Sequence, residues 1–206
     1  ERSYRDSRIN RIFEGTNEIN RLLVVDTTLK RAMKGDFDLY GEAKKVLESL
    51  DKLPADADPN SEPDYFKRIR KYISGFKKAV LMTVGVASDT FARKLAYEQE
   101  ILNNISDMIM PTYVAESALL RVEKLQKTKG DDAVSIYKDM LNVFVFDSAV
   151  NIYTRGLNAI CSFAEGEQLK KLQQGLCHFT TVAPVNVKEA RRRIANAMIE
   201  ENKYCF

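Results

Sequence analysis

The sequence of 206 residues predicts an all-α protein. Apolar residues recur along almost the whole chain at the three- and four-residue spacing that forms one face of a helix. The alternation of apolar and polar residues that indicates a strand is nowhere sustained, and only 9 glycines and 5 prolines are present to break helices. Since 45% of the residues are hydrophobic, the predicted helices can bury a core.

The first well-defined helix is predicted to begin after Gly15 and to end before Gly35. Thr16 or Asn17 can cap its N-terminus, and Glu18 puts a negative charge in the first turn, where the helix dipole favours it. Basic residues crowd the last turn, and Gly35 stands where a left-handed residue commonly ends a helix.

The composition changes at residues 36–63. A short amphipathic run at 40–53 is followed by 54–63, which contains three prolines together with acidic residues. Such a stretch indicates an exposed loop. We therefore predict a short helix and an acidic, proline-rich linker at 36–63, which divides the chain into segments 1–35 and 64–206.

Segment 64–206 is predicted to be a helical bundle. Four long helical patterns follow one another, at about 64–97, 98–127, 131–163 and 165–179. Helices joined by tight connections pack naturally as an antiparallel four-helix bundle. Pro111 should kink or interrupt the second helix, because proline removes an amide donor and clashes one turn back. A final short helix follows Pro184, with Asn186 as its N-cap.

The charge, cysteine and histidine content excludes several classes of protein. The net charge is +3, from 32 basic and 29 acidic residues spread along the chain, so no nucleic-acid partner is predicted. Cys161, Cys177 and Cys205 are widely spaced and His178 is the single histidine, so reduced thiols and no zinc site are predicted. His178 lies in an apolar context and is interpreted as a core or interface residue. No apolar stretch reaches the roughly 20 residues of a membrane-spanning helix.

One stretch, 4–21, combines residue types that could do chemistry. The carboxylate of Glu14 precedes Gly15, where the absence of a side chain lets a ligand approach the backbone. Thr16 and Asn17 add polar side chains and free amides at the positive end of a helix, which suits a phosphate. The residues alone leave two interpretations open: a catalytic base beside an anion site, or an ordinary loop followed by a helix cap.

The same stretch resembles the C-terminal signature of the acyl-CoA dehydrogenase family. The residues that carry the resemblance are Arg5-Asp6, Ile9, Ile12, Phe13-Glu14-Gly15-Thr16 and Ile19-x-Arg21. The resemblance covers the segment 1–35 and implies that this segment ends the helical part of a catalytic domain. The chain is accordingly expected to be the C-terminal piece of a longer protein.

The resemblance implies a role for each of five consecutive residues. Glu14 would be the catalytic base that removes the α-proton of a fatty acyl-CoA thioester, while a hydride passes to the flavin of FAD. Gly15 would bind the acyl-CoA substrate, and Thr16, Asn17 and Glu18 would bind FAD. An electron-transfer flavoprotein and a homo-oligomer are also implied. The chain alone would lack most of the flavin site and is expected to be inactive.

Segment 64–206 resembles the extra helical domain of very-long-chain-type acyl-CoA dehydrogenases. The matching residues are Tyr97-Glu98-Gln99-x-x-Leu102, Asp107-x-Ile109 and Ser117-x-x-x-Arg121. This resemblance implies a homodimer and peripheral membrane contact, which basic runs such as 67–71 and 191–193 could serve. The alternative is that these runs are solvated helix faces, because a membrane-bound helix also needs a free apolar face.

Two functions therefore stay open at the level of sequence. The first is FAD-dependent dehydrogenation of a fatty acyl-CoA by the intact protein, in fatty acid β-oxidation. The second is a non-catalytic helical module for dimerisation, membrane contact or assembly, with a vestigial motif. The expected location is the cytoplasm of a bacterium, or the mitochondrial matrix or inner-membrane face of a eukaryote.

Overall fold

The computed structural model describes residues 1–54 and 58–206. Within these ranges the chain forms eight α-helices and no strand, which confirms the all-α prediction. The helices are α1 (Arg2–Ile9), α2 (Asn17–Met33), α3 (Leu39–Ser49), α4 (Tyr65–Phe91), α5 (Gln99–Lys129), α6 (Ser135–Cys161), α7 (Gly166–Thr180) and α8 (Val187–Glu201). Short 3-10 helices occupy Leu50–Lys52, Ala92–Tyr97 and Asp132–Val134.

Three of the predicted helix ends are confirmed by their hydrogen bonds and backbone angles. The Thr16 hydroxyl accepts a hydrogen bond from the amide of Ile19 at 3.2 Å, so Thr16 rather than Asn17 caps α2. Gly35 follows α2 with a φ of +82°. The amide of Glu189 donates to the Asn186 side chain at 3.2 Å, which caps α8. Each cap satisfies backbone groups that the helix itself leaves unpaired.

Helices α4, α5, α6 and α7 pack around the larger of two apolar clusters. Its fully buried side chains include one from each helix: Phe76, Met108, Ile152 and Leu176. Burying a side chain of this size contributes about 1.5–3 kcal/mol relative to exposure. This cluster therefore provides much of the stability of the bundle, and α8 packs on its outside against α6.

The smaller apolar cluster attaches α2 and α3 to the bundle. It contains Val25 of α2, Leu39 of α3, Val84 of α4 and Ile105 of α5. Because Val80 of α4 borders both clusters, the two cores are continuous along that helix. The predicted short helix in 36–63 is thus α3, and it lies on the bundle rather than apart from it.

Only part of the proline-rich stretch of the predicted linker falls within the described residues. Residues 55–57 lie outside the described residues. Pro59 is held to the bundle, because the hydroxyl of Tyr72 donates to its carbonyl oxygen at 2.8 Å. The division of the chain at 36–63 into separate segments stays a prediction.

Pro111 lies inside α5 without interrupting it. Proline cannot donate the helical hydrogen bond that the carbonyl of Asp107 would accept. Packing holds the neighbouring turns in place, because Met108 and Ala115 are fully buried. Of the two expected outcomes, a kink or an interruption, the interruption does not occur, since tertiary packing keeps the helix continuous.

Several residues of the basic runs pair with acidic residues on neighbouring helices. Arg193 donates two hydrogen bonds to Asp139, both at 2.7 Å, and Arg191 donates to Asp147 at 2.6 Å. Lys77 pairs with Glu116 at 2.5 Å. These contacts favour solvated helix faces over a dedicated membrane surface. Among the described residues, no helix has the length and hydropathy needed to cross a bilayer.

His178 is half-buried on α7 and lies edge-to-face with Phe179, with ring centroids 5.6 Å apart. Burial, together with the nearby charges of Lys78 and Lys71, lowers the pKa of His178 from its usual value. These surroundings match the interpretation of a packing residue. The cysteines are free, with Cys161 and Cys177 exposed.

Gly75→Ala is expected to destabilise the bundle. A methyl group at position 75 would lie 2.4 Å from the carbonyl oxygen of Phe179, a backbone atom that cannot rotate away. The separation of α4 and α7 must then increase, at a cost of about 1–3 kcal/mol that outweighs the better helix propensity of alanine. Urea unfolding measures the loss, and Ser74→Ala on the exposed face of α4 is the control. A higher midpoint for Gly75→Ala than for the original chain contradicts this packing.

Candidate functional site

The five predicted site residues lie on the turn between α1 and α2 and on the first residues of α2. Two successive residues of that turn have left-handed backbone angles, with φ of +56° at Glu14 and +89° at Gly15. The amide of Asn17 donates to the carbonyl of Arg11 at 3.2 Å and closes the turn. The left-handed region costs a non-glycine residue about 1–2 kcal/mol. A strained position at a glutamate is a reason to ask what its side chain does.

Gly15 is needed here for two reasons. Its φ lies in the region that favours glycine, and a Cβ would stand 3.0 Å from the Asn20 side-chain oxygen. The Asn20 side chain folds back and donates to the carbonyl of Gly15 at 3.0 Å. The turn is therefore tightly closed around a residue with no side chain, which leaves the outer face of its backbone open to a ligand.

The carboxylate of Glu14 is free to act on a ligand. Glu14 is exposed, and within residues 1–54 and 58–206 it forms no ion pair and no side-chain hydrogen bond. Gly15 and Glu18 are also exposed, and Thr16 and Asn17 are half-buried. Five residues of the predicted kinds thus share one accessible stretch, although their individual roles stay predictions.

The amides at the start of α2 are less available than the sequence suggested. The Asn17 amide donates to Arg11, the Ile19 amide to the Thr16 hydroxyl, and the Asn20 amide to the Thr16 carbonyl at 2.9 Å. The expectation of a free amide was therefore wrong for Asn17, because the closed turn uses it. Glu18 adds a negative charge beside this end of the helix. The polar side chains of Thr16, Asn17 and Glu18 stay accessible to a ligand at this end of α2.

Sequence reasoning missed an ion-pair cluster that fixes the start of α2. The Nε of Arg21 donates to Oδ1 of Asp107 at 2.6 Å, and the Nε of Arg155 lies 3.3 Å from Oδ2 of the same carboxylate. Arg21 and Asp107 both belonged to quoted motifs, but they are 86 residues apart. Periodicity and spacing carry no information about such a pairing.

Apolar side chains surround the turn without being covered. None of the residues of α1 is buried, and the exposed apolar side chains of this region are Tyr4, Ile9, Ile12, Phe13, Ile19, Leu23 and Met33. A groove of about 830 Å³ runs between α2, the end of α4 and the 3-10 helix Ala92–Tyr97. Exposed apolar side chains in this number, with a groove beside α2, are typical of a contact with a ligand or with more protein.

The fold and the turn define an all-α domain that carries an exposed Glu-Gly pair before a capped helix. The family profile described as "Acyl-CoA dehydrogenase, C-terminal domain" matches residues 75–177. The chain belongs to the acyl-CoA dehydrogenase family. The profile lies downstream of the motif at 4–21, so two different parts of the chain point to the same family.

Two relatives match nearly the whole chain. A probable acyl-CoA dehydrogenase of Bacillus subtilis (strain 168) is 36% identical over 204 residues, which are 99% of this chain and 34% of that protein. The crystal structure of an acyl-CoA dehydrogenase complexed with FAD from Bacillus anthracis superposes with a TM-score of 0.89 and 36% identity, over 100% of this chain and 34% of that chain. The chain therefore spans about a third of the length of these relatives.

Proposed function

We propose that the chain acts as the C-terminal part of a longer FAD-dependent acyl-CoA dehydrogenase, in which Glu14 is the catalytic base. The observation that carries the proposal is the turn at Glu14-Gly15: an unpaired, exposed carboxylate on a left-handed residue, followed by a glycine that leaves the backbone accessible. The FAD complex of the Bacillus anthracis relative, which matches along all of this chain, supports FAD as the cofactor.

Each residue of the turn has a different role in the proposed reaction. Glu14 takes the α-proton of the acyl-CoA thioester, and exclusion of water by the bound substrate makes a carboxylate a stronger base. Gly15 lets the thioester lie against the backbone. The polar side chains of Thr16, Asn17 and Glu18 would hold FAD by hydrogen bonds. When bound, FAD supplies the acceptor for the hydride that leaves the β-carbon.

The exposed, polar surface of these three residues is compatible with a large polar cofactor. Thr16 and Asn17 are half-buried and Glu18 is exposed, so their side chains can reach an adjoining ligand. The charge of Glu18 and the use of the Asn17 amide in the turn favour hydroxyl groups or ring nitrogens of FAD over its phosphates at this position. The uncovered apolar side chains of α1 and α2 favour packing against the rest of a longer protein.

Finer features of the enzyme are also proposed. Residues 97–121 resemble the very-long-chain type, which favours long acyl chains, a role in fatty acid β-oxidation and a homodimer. An electron-transfer flavoprotein would then reoxidise the flavin. Because both relatives are bacterial, we favour the cytoplasm as the location. The paired basic runs leave little support for membrane contact.

Anaerobic titration of the longer protein with a long-chain acyl-CoA tests the proposal. The protein is expected to be isolated with FAD, and the acyl-CoA is expected to bleach the visible absorption of the oxidised flavin. A protein that binds FAD without bleaching, or that binds no FAD, favours the non-catalytic module instead.

A further inference from the structure

The first turn of α2 has little attachment to the bundle, and Leu22 is the first side chain of this helix that packs against the smaller apolar cluster. No residue before Val25 is buried, and residues 1–15 are all exposed. Within the described ranges, Arg21 is the first residue along the chain whose side chain hydrogen-bonds to another helix. The position of the Glu14 turn relative to the bundle therefore depends strongly on what Arg21 contacts.

The guanidinium of Arg21 contacts both the start of α2 and the helical bundle. Its Nη1 donates to the carbonyl of Asn17 at 3.2 Å, and its Nε donates to Asp107 of α5 at 2.6 Å. Asp107 has only 14% of its side chain exposed, and its second oxygen faces Arg155 of α6. Arg21 and Arg155 thus orient the carboxylate of Asp107. That carboxylate in turn orients the guanidinium of Arg21, which donates to the carbonyl of Asn17. The planar fork of arginine makes such a double contact directional.

We propose that Asp107 is a positioning residue for the site: through Arg21 it holds the Glu14–Asn17 turn in place on the helical bundle. This inference rests on the proposed function of Glu14. It assigns the helical bundle a role in orienting the catalytic base. Asp107 touches neither substrate nor cofactor and acts only through Arg21. Because small displacements of a catalytic group are costly, its loss affects turnover more than it affects folding.

Asp107→Ala tests the proposal, with Asp139→Ala as a matched control. Asp139 is equally shielded, with 15% of its side chain exposed, and it also holds an arginine of another helix, but it contacts Arg193 of α8. Hydrogen–deuterium exchange of this chain is the first readout. We expect faster exchange in peptides covering 11–22 for Asp107→Ala and no change there for Asp139→Ala. Unchanged exchange of 65–180 in both variants shows that the bundle remains folded.

Kinetics of the longer, FAD-loaded protein are the second readout. Asp107→Ala is expected to lower kcat by roughly 10- to 100-fold with a smaller change in KM, while FAD content is retained. Arg21→Lys keeps the charge but cannot form both contacts of the fork, so it should lower kcat in the same way. Equal kcat and equal exchange for Asp107→Ala and Asp139→Ala overturn the positioning role. Full turnover in Glu14→Gln instead overturns the proposed function itself, so the two failures are distinguishable.

Discussion

Glu14→Gln in the longer, FAD-loaded protein is expected to lower acyl-CoA turnover by roughly 10²- to 10⁴-fold, the usual contribution of a general base. Glutamine keeps the size and polarity of the side chain but cannot accept the α-proton. The turn is closed by the backbone of Asn17 and the side chain of Asn20, neither of which depends on the carboxylate. FAD content and the thermal midpoint are therefore expected to stay unchanged.

Glu167→Gln is the matched control for this prediction. Glu167 is an exposed carboxylate in the first turn of α7, and it pairs with the nearby Lys170 at 2.6 Å. Its replacement should leave turnover unaltered. If Glu14→Gln lost its FAD or unfolded, the drop in turnover would show a structural role for Glu14 and would not support its role as a base.

Phe76→Ala is expected to cause the largest loss of stability in this chain, about 3–5 kcal/mol, the range observed when a buried aromatic ring is truncated. Phe76 is 0% exposed and belongs to the apolar cluster shared by α4, α5, α6 and α7. The packed helices around it cannot collapse fully into the space that the ring leaves. Urea or guanidinium unfolding measures this as a lower midpoint with an unchanged dependence on denaturant.

Tyr113→Ala is a control for the loss of an aromatic ring from a helix surface. Tyr113 lies on α5 with 70% of its area exposed, so its truncation should change the free energy of unfolding by less than about 0.5 kcal/mol. Similar losses for the two variants would contradict the assignment of Phe76 to the centre of the core.

Local chemistry predicted the long helices and three helix ends, although the helix predicted at 64–97 ends at Phe91 and α1 was not predicted. Thr16, Gly35 and Asn186 each mark a helix end by a side-chain hydrogen bond or a left-handed angle, and these effects operate within three or four residues of sequence. The Glu14-Gly15 turn was recognisable for the same reason, since the whole candidate site lies on consecutive residues. Pro111 marks the limit of such reasoning, because burial of the neighbouring turns keeps α5 continuous through it.

Contacts between residues far apart in the chain could not be predicted from the sequence. The pairing of Arg21 with Asp107 and Arg155 requires that α2, α5 and α6 meet at one point, and no periodicity specifies that meeting. The use of the first amides of α2 depends on how the preceding turn closes onto Arg11. The first feature arises from tertiary structure and the second from the closed turn: Arg21 pairs the start of α2 with the bundle, and the turn takes up the amide of Asn17.

The rate of flavin reduction in a single turnover tests the role of Glu14 most directly. The unaltered longer protein and its Glu14→Gln variant, each loaded with FAD, are mixed anaerobically with a long-chain acyl-CoA while the visible absorption is followed. The flavin of the unaltered protein is predicted to bleach rapidly, and that of the variant to stay oxidised although the acyl-CoA binds. Equal rates of bleaching would show that the base lies elsewhere and would contradict the assignment of Glu14.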